Sequence, residues 1–283
     1  MRVIEDLKPL RDMVYGWHCG GSRVALVPTM GNLHPGHLSL VERAKREADR
    51  VVVSIFVNPT QFGENEDFGA YPRTPSEDER QLREAGADVL FRPSAQLMYP
   101  EGLPPACWIV VPEISDVLCG ASRPGHFRGV ATVVAKLLNM VSPDVAVFGE
   151  KDFQQLVIIQ RVVRELRIPT DVVGVGIQRE ANGLAMSSRN QYLTPLERQT
   201  AGEIYTVLNW IKERVEAGDH DFGALEQAAA DRLAEKNFRV DYVAIRCAKN
   251  LRTLQAGDSE GVALVAARLG KARLIDNVRV TLK

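Results

Sequence analysis

The sequence predicts an α/β fold, a Rossmann-like parallel sheet with helices on both faces, followed by a smaller C-terminal α+β domain. Short apolar runs such as Val24–Val27 and Arg50–Val57 alternate with helical patterns. Because nearly every position of these runs is hydrophobic, they are typical of parallel strands buried on both faces. Strands and helices that alternate in this way form right-handed βαβ units. After Gly176 two helices precede three strands, so we expect residues 1–176 to form the Rossmann-like domain and residues 177–283 the smaller lid domain.

Periodicity, caps and breakers set the predicted elements of the first domain. The expected helices are Ile4–Trp17, Leu38–Ala48, Thr74–Ala85, Val130–Met140 and Leu156–Leu166. The expected strands are Val24–Val27, Arg50–Val57, Asp88–Phe91, Asp144–Phe148 and Thr170–Val175, with a further extended run at Cys107–Val111. The polar, glycine-bearing segment Glu64–Arg73 is predicted to be a mobile loop.

The second domain is predicted from longer patterns. A helix is expected from Thr194 to Glu216 and a second over Phe222–Glu235. Three strands are expected over Arg239–Arg246, Gly261–Arg268 and Ala272–Val280, because apolar residues alternate there as in half-buried strands.

Composition excludes several classes of function. The 283 residues are 45% hydrophobic and 25% charged, which is ordinary for a soluble globular protein. The net charge of −1 gives no general attraction to nucleic acid or acidic membranes. The four cysteines show neither CxxC spacing nor the density of a disulfide scaffold, which favours the cytoplasm. The N-terminus lacks the apolar segment of a signal peptide, and no run has the length of a membrane span.

Two histidines mark the first candidate site. His34 and His37 follow a buried strand and a turn, and they stand where a helix begins. A helix N-terminus attracts anions, phosphates in particular, and imidazole N–H groups there can add donors to a nucleotide's phosphates. The alternative is that both rings merely cap the helix or face solvent. Zinc binding is disfavoured as their main purpose, because zinc requires three or four ligands and the other histidines and the four cysteines form no ligand pattern.

Further polar groups follow other strands, at the edge where open α/β sheets bind ligands. Asn58 and Gln61 follow the second strand, although this segment could also be plain turn chemistry. Lys151 and Gln155 follow a later strand, and a lysine there suits a polyphosphate. Arg123 lies in a glycine-rich basic loop before a helix, and could equally be a surface residue.

The loop Met186–Arg189 offers two hydroxyl groups and an arginine, which together can bind phosphate oxygens. Taken alone, this serine-containing loop would not indicate a functional site. Six segments nevertheless occur between about residues 24 and 193 in one order: PTMGNLHPGH, FVNPTQF, YPRT, RPGHFRGV, FGEKDFQQ and GLAMSSRN. In this they resemble the HxGH nucleotidyltransferase superfamily and, within it, the pantothenate synthetase (pantoate–β-alanine ligase) family.

The resemblance implies a two-step reaction. ATP and (R)-pantoate would give a pantoyl adenylate and pyrophosphate, and β-alanine would then displace AMP to give pantothenate. It also implies Mg²⁺ bound with ATP and a homodimer. No protein nucleophile is needed, because the substrate carboxylate attacks the α-phosphorus; the protein positions the reactants and stabilises charge.

The same resemblance assigns residues to roles. ATP would be bound by Met30, Gly31, Asn32, Leu33, His34, Pro35, Gly36, His37, Gly149, Glu150, Lys151, Asp152, Gln178, Met186, Ser187, Ser188 and Arg189. Of these, His34, His37, Lys151 and Arg189 would be catalytic, and Gln178 would contact adenine through its backbone. Gln61, Gln155, Asn58 and Arg123 would bind substrate, and Asp78 is a candidate Mg²⁺ ligand.

Two assignments need a physical comment. In the family the second histidine of the motif, here His37, is described as a proton donor. Because pyrophosphate is a good leaving group that hardly needs a proton, we expect His37 to act electrostatically. For His126 in RPGHFRGV we expect only a structural role.

Three rival functions remain. One is transfer of a nucleotide to a phosphate acceptor, against which the paired glutamines argue. An aminoacyl-tRNA synthetase is disfavoured by the net charge of −1. A nucleotide sensor on the same scaffold would bind ATP without turnover.

Overall fold

A six-stranded parallel sheet forms the centre of the larger part of the molecule. The computed structural model describes residues 1–63, 66, 68–255 and 257–282. In chain order the strands are β1 (Arg2–Ile4), β2 (Val24–Thr29), β3 (Arg50–Ile55), β4 (Val89–Phe91), β5 (Val145–Gly149) and β6 (Asp171–Val175). They lie in the order β1-β4-β3-β2-β5-β6, and every pairing between them is parallel.

Helices cover both faces of this sheet. They are α1 (Leu7–Cys19), α2 (Pro35–Glu47), α3 (Pro75–Ala85), α4 (Ala95–Met98), α5 (Cys119–Ser122), α6 (His126–Val141) and α7 (Phe153–Glu165). Successive strand side chains point to opposite faces: Leu26 packs in a cluster with residues of α1, α6 and α7, whereas Val27 packs in a cluster with residues of α2 and α3. This explains the uninterrupted apolar runs and confirms the predicted fold class.

The order of the strands creates a crevice. From β2 the chain proceeds to β3 on one side, and it returns to the other side of β2 as β5. The loops that follow β2 and β5 therefore leave the sheet in opposite directions, which is where open α/β sheets bind ligands. The segments beginning at Met30 and Glu150 border this opening.

The rest of the chain forms a smaller α+β unit. It contains α8 (Pro195–Thr200), α9 (Glu203–Glu216), α10 (Phe222–Glu235), β7 (Arg239–Cys247), β8 (Glu260–Leu269) and β9 (Ala272–Thr281). The three strands form an antiparallel sheet in sequential order. One face of this sheet packs on α9 and α10. On the other face, Val262 and Leu264 join a cluster with Phe127 of α6 and Phe153 of α7, so the two units share a core. The boundary at residues 176/177 stays a prediction.

The start of the chain differs from the prediction. Ile4 belongs to a three-residue strand, with Ile4 opposite Phe91, and the first helix begins only at Leu7. So short an edge strand has no detectable periodicity, because its single inward side chain also fits the helical spacing that follows.

The long helix predicted from Thr194 to Glu216 is two helices, α8 and α9. The side-chain amide of Asn182 donates to the carbonyls of Arg198 (2.8 Å) and Gln199 (3.4 Å). These acceptors would otherwise serve the next turn of a continuous helix, so a residue distant in sequence ends α8.

Two further segments also differ. Cys107–Val111 forms no strand: the Ile109 N–H donates to the hydroxyl of Thr132 on α6 (2.9 Å) instead of to a neighbouring strand. Helix α6 begins at His126 rather than Val130, after Gly125 with φ +81°. Glu64, Asn65 and Asp67 of the predicted mobile loop lie outside the described residues, and its mobility stays a prediction.

Candidate active site

A cleft of about 220 Å³ lies over the crevice between β2 and β5. Most of the residues singled out in the sequence line it: Met30, His34, Gly36, His37, Asn58, Gln61, Arg123, Gly149, Lys151, Asp152, Gln155, Gln178, Met186, Ser187, Ser188 and Arg189. Among the described residues, Gly31, Asn32, Leu33, Pro35, Glu150 and Asp78 were also predicted for the site and do not line the cleft. The fold thus brings five separate segments of the chain to one opening.

His34 and His37 form a reciprocal cap at the start of α2. The Gly36 N–H donates to Nδ1 of His34 (3.1 Å), and the His34 N–H donates to Nδ1 of His37 (3.3 Å). A ring nitrogen that accepts a hydrogen bond carries no hydrogen, so each neutral ring keeps its hydrogen on Nε2. Both rings therefore cap the helix, as the alternative interpretation expected, and both also line the cleft. Since Nδ1 does the capping, the Nε2–H group of each ring is available as a donor to a ligand.

Both histidines are neutral near pH 7. Burial, with the positive charge of Lys151 as the next cause, lowers the pKa of His34 to about 4. Burial and the adjacent His34 ring lower the pKa of His37 to about 3. A neutral Nε2–H group can donate a hydrogen bond to phosphate oxygens. With such a low pKa, however, the imidazolium form is absent at neutral pH, so the side chain cannot act as a general acid.

These pKa values predict a pH dependence of stability. In the unfolded chain both histidines titrate near pH 6.5, whereas in the folded chain they remain neutral until pH 4 or below. The unfolded state therefore binds more protons in this window, and the free energy of unfolding should fall as the pH drops from 6.5 towards 4. Urea unfolding at pH 7, 6 and 5 measures this slope.

The His37→Gln variant provides the comparison for that slope. A glutamine can accept the capping bond from the His34 N–H and does not titrate, so the slope should become shallower. The variant His220→Gln, at an exposed position, is the matched control. An unchanged slope in His37→Gln would show that His37 is protonated in the folded protein in this range.

Among the described residues, three positively charged side chains line the cleft: Lys151, Arg189 and Arg123, the last of which is paired with Glu66. Lys151 Nζ lies 3.7 Å from the Asp152 carboxylate. Burial by itself would raise the pKa of Asp152, but the charges of Lys151 and Arg189 outweigh it and hold that pKa below its usual range. The Ser188 hydroxyl donates to the carbonyl of Asn32 (3.2 Å), which ties the 186–189 loop to the loop after β2. The arrangement offers two cations and neutral donors to one anion.

Asn58 and Gln61 act as a unit. Asn58 is 1% exposed, and its amide donates to Oε1 of Gln61 (3.0 Å) and to the carbonyl of Gly129 (3.3 Å). Its own oxygen accepts from the Tyr99 hydroxyl (2.6 Å). Because Asn58 uses its polar atoms within the protein, it orients Gln61, whose Nε2 then borders the cleft and contacts Met30 Sδ at 3.2 Å.

His126, for which the sequence indicated only a structural role, supports the same glutamine. Its Nδ1 lies 2.8 Å from the backbone carbonyl of Gln61, so this nitrogen carries the hydrogen and donates. Its Nε2 accepts from Arg123 (3.0 Å), which also forms a paired contact with Glu66 at 2.6 Å. Burial lowers the pKa of His126 to about 4. The RPGHFRGV motif drew attention to His126, but the contact of His126 with Gln61 was not evident from the sequence.

Asp78 has a different role from the predicted one. It is 2% exposed, and its two oxygens accept from the backbone N–H groups of Asn32 (3.0 Å) and Leu33 (2.8 Å) and from the Thr74 hydroxyl (3.0 Å). Its carboxylate thus fixes the loop after β2, and both of its oxygens are used by protein donors instead of a metal. Within the described ranges, no group of three or more His, Cys, Asp or Glu side chains could hold a metal ion.

The described helices include none that has both the length and the apolar character required to cross a bilayer.

Comparison with known proteins identifies the family. The family model described as pantoate-beta-alanine ligase matches residues 2–279. A pantothenate synthetase of Alteromonas mediterranea is 53% identical over 281 residues, which are 99% of this chain and 100% of the relative. One of Methylococcus capsulatus is 52% identical over 282 residues, 100% of this chain and 99% of the relative.

Solved structures agree. The crystal structure of pantothenate synthetase from Thermus thermophilus has a TM-score of 0.90 and 45% identity, and covers 98% of this chain and 99% of that one. A pantoate-beta-alanine ligase from Francisella tularensis, complexed with beta-gamma ATP and beta-alanine, has a TM-score of 0.82 and 34% identity. The match covers 98% of this chain and 97% of that one. The chain belongs to the pantoate–β-alanine ligase family.

Proposed function

We propose that this chain condenses (R)-pantoate with β-alanine at the expense of ATP, through a bound pantoyl adenylate, and releases pyrophosphate and AMP. Family membership supports the reaction, and the relative from Francisella tularensis binds an ATP analogue together with β-alanine. One observation of the site carries the proposal: cations and neutral N–H donors share a single cleft with two glutamine amides. The first set suits a triphosphate, and the second suits a hydroxylated carboxylic acid.

In the first step a pantoate carboxylate oxygen attacks the α-phosphorus of ATP, and the bond from that phosphorus to the pyrophosphate oxygen breaks. Gln61 and Gln155 would hold pantoate, with Asn58 and His126 fixing Gln61 through the contacts described above. Lys151 would bind the phosphates as a point charge. The chemistry needs no protein nucleophile, so alignment of the reactants is the main contribution, which can reach roughly 7–11 kcal/mol of the barrier.

The geometry of the cleft supports the remaining proposed phosphate contacts. The Nε2–H groups of His34 and His37 would donate to oxygens whose charge increases as pyrophosphate leaves. With a pKa of about 3, His37 would act by hydrogen bonding and not as a proton donor. Arg189 and the hydroxyls of Ser187 and Ser188 would close over the triphosphate, and Gln178 would lie against adenine.

In the second step the amine of β-alanine attacks the carbonyl carbon of the adenylate, a C–N bond forms, and the bond to the AMP oxygen breaks. One proton is lost from the nitrogen. Mg²⁺, which supplies charge neutralisation when it accompanies ATP, would be held mainly by phosphates and water. The residues of the cleft fit this, because Asp152 alone among the described lining residues offers a carboxylate.

The test is incubation with ATP, Mg²⁺, pantoate and β-alanine in all combinations, with AMP and pyrophosphate measured. Pyrophosphate should require ATP, Mg²⁺ and pantoate but not β-alanine, and AMP should appear only when β-alanine is added. Pyrophosphate released with a phosphorylated acceptor instead of pantoate would indicate the rival nucleotidyltransferase. Binding of ATP without any product would indicate a nucleotide sensor.

Three further properties belong to the same proposal. The family resemblance supports a homodimer, which light scattering on the purified chain tests. The absence of nucleic-acid partners is supported by the net charge of −1. A cytoplasmic location is supported by the four cysteines, all of which are free thiols.

A further inference from the structure

The loop that carries Lys151 is attached to the C-terminal sheet. Asn277 on β9 is 4% exposed, and its side-chain amide lies 2.9 Å from the carbonyl oxygen of Glu150 and 3.1 Å from that of Lys151. Because both partners only accept, the facing atom is the amide nitrogen, whose two hydrogens serve one carbonyl each. This buried side chain thus holds two consecutive peptide groups of the loop after β5.

Neighbouring residues of β9 hold Asn277 in place. Arg279 is two positions further and so lies on the same face of the strand; it pairs with the Glu150 carboxylate at 3.1 Å. Asp276, on the opposite face, accepts from the Asn277 N–H at 2.7 Å. The same carboxylate forms a paired contact with Arg179 at 2.6 and 3.0 Å and is 4% exposed. The backbone of Asn277 and the loop that it contacts are therefore held by residues on both faces of the sheet.

We propose that Asn277 is a positioning residue for the phosphate-binding lysine of the cleft. It fixes the backbone of Glu150 and Lys151, and so sets where the Lys151 ammonium meets the triphosphate. The inference rests on the role proposed for Lys151. It assigns a function in the reaction to the C-terminal sheet, which makes this contact from 126 residues further along the chain.

The direct test is the Asn277→Asp variant of the full chain. The carboxylate has the same shape, but it places an oxygen against two carbonyl oxygens, so the loop must move. Since a displacement of about 1 Å can cost a hundredfold in rate, we expect kcat for pantoate-dependent pyrophosphate release to fall about tenfold to a hundredfold. The KM for pantoate should change less than twofold. Asn277→Ala is the second variant and should show a smaller loss of the same kind.

Val280→Ala is the matched control. Val280 lies on the same strand and is 2% exposed, but it packs in the core formed by α9 and α10 and not on the loop. Both it and Asn277→Ala should lower the melting temperature, whereas kcat should fall only in the Asn277 variants. Equal losses of kcat in Val280→Ala would overturn the proposal.

A double-mutant cycle with Lys151→Met separates positioning from general stability. If Asn277 acts through Lys151, adding Asn277→Asp to Lys151→Met should lower kcat by less than twofold more. If the two losses multiply, the inference is wrong while the role of Lys151 stands. If Lys151→Met alone leaves kcat unchanged, the role of Lys151 is wrong and the inference falls with it.

Discussion

The Lys151→Met variant is expected to lower kcat for pyrophosphate release by about a hundredfold to a thousandfold, the usual loss when one preorganised group that stabilises transition-state charge is removed. Methionine keeps most of the volume and removes the ammonium group. Lys151 lines the cleft beside Asp152. Because pantoate would be held by Gln61 and Gln155, its KM should change little. Steady-state assays with pantoate varied at saturating ATP measure both quantities, and assays with ATP varied at saturating pantoate measure the KM for ATP.

The Lys8→Met variant is the control for loss of a lysine charge. Lys8 forms an exposed ion pair with Asp12 on α1, a kind of contact that contributes little to stability. Its kcat should equal that of the wild type. If Lys151→Met raised the KM for ATP and left kcat intact, Lys151 would bind substrate and transition state equally, and its proposed role in the reaction step would be wrong.

The second large effect is expected at Gly129 on α6. A Cβ at this position would overlap the backbone of Thr60 and lie 2.8 Å from the backbone nitrogen of Gln61. Backbone atoms cannot rotate away, so Gly129→Ala should push α6 and the Asn58–Gln61 segment apart. We expect stability to fall by about 1–3 kcal/mol. The KM for pantoate should also rise at least tenfold, because the bond from Asn58 to the Gly129 carbonyl is lost.

Gly16→Ala on α1 is the control, because a Cβ there would have no atom within 4 Å. Alanine in an open helical position should leave the KM unchanged and stability equal or slightly higher. Thermal unfolding and pantoate titrations on both variants measure the difference. A Gly129→Ala enzyme with normal KM would show that pantoate does not depend on the position of Gln61.

The features that were predictable from the sequence are local ones. The apolar runs of β2, β3 and β5 are buried on both faces, so their pattern alone indicates a parallel sheet. His34 and His37 were recognisable because a proline, a glycine and the ring nitrogens all act within four residues at the start of α2. The lining of the cleft followed the rule that ligands bind beyond the carboxyl ends of strands.

The features that were missed depend on contacts between distant residues. Asp78 was a candidate Mg²⁺ ligand among the residues assigned through the family resemblance; its partners include backbone N–H groups 45 and 46 residues earlier. Asn182 ends α8 from 16 residues away. Asn277 reaches Lys151 from another sheet. Periodicity and propensity describe the repeat of residues within one element, so they could not reveal contacts between side chains of different elements.

The core shared by α6, α7 and β8 also limits how the polypeptide can be divided. Phe127 and Phe153 on one side and Val262 and Leu264 on the other are each less than 5% exposed. A fragment that ends near residue 176 would expose the apolar side chains of α6 and α7 to water. The C-terminal fragment would expose those of β8. We therefore expect each fragment to be less stable and more prone to aggregation than the intact chain.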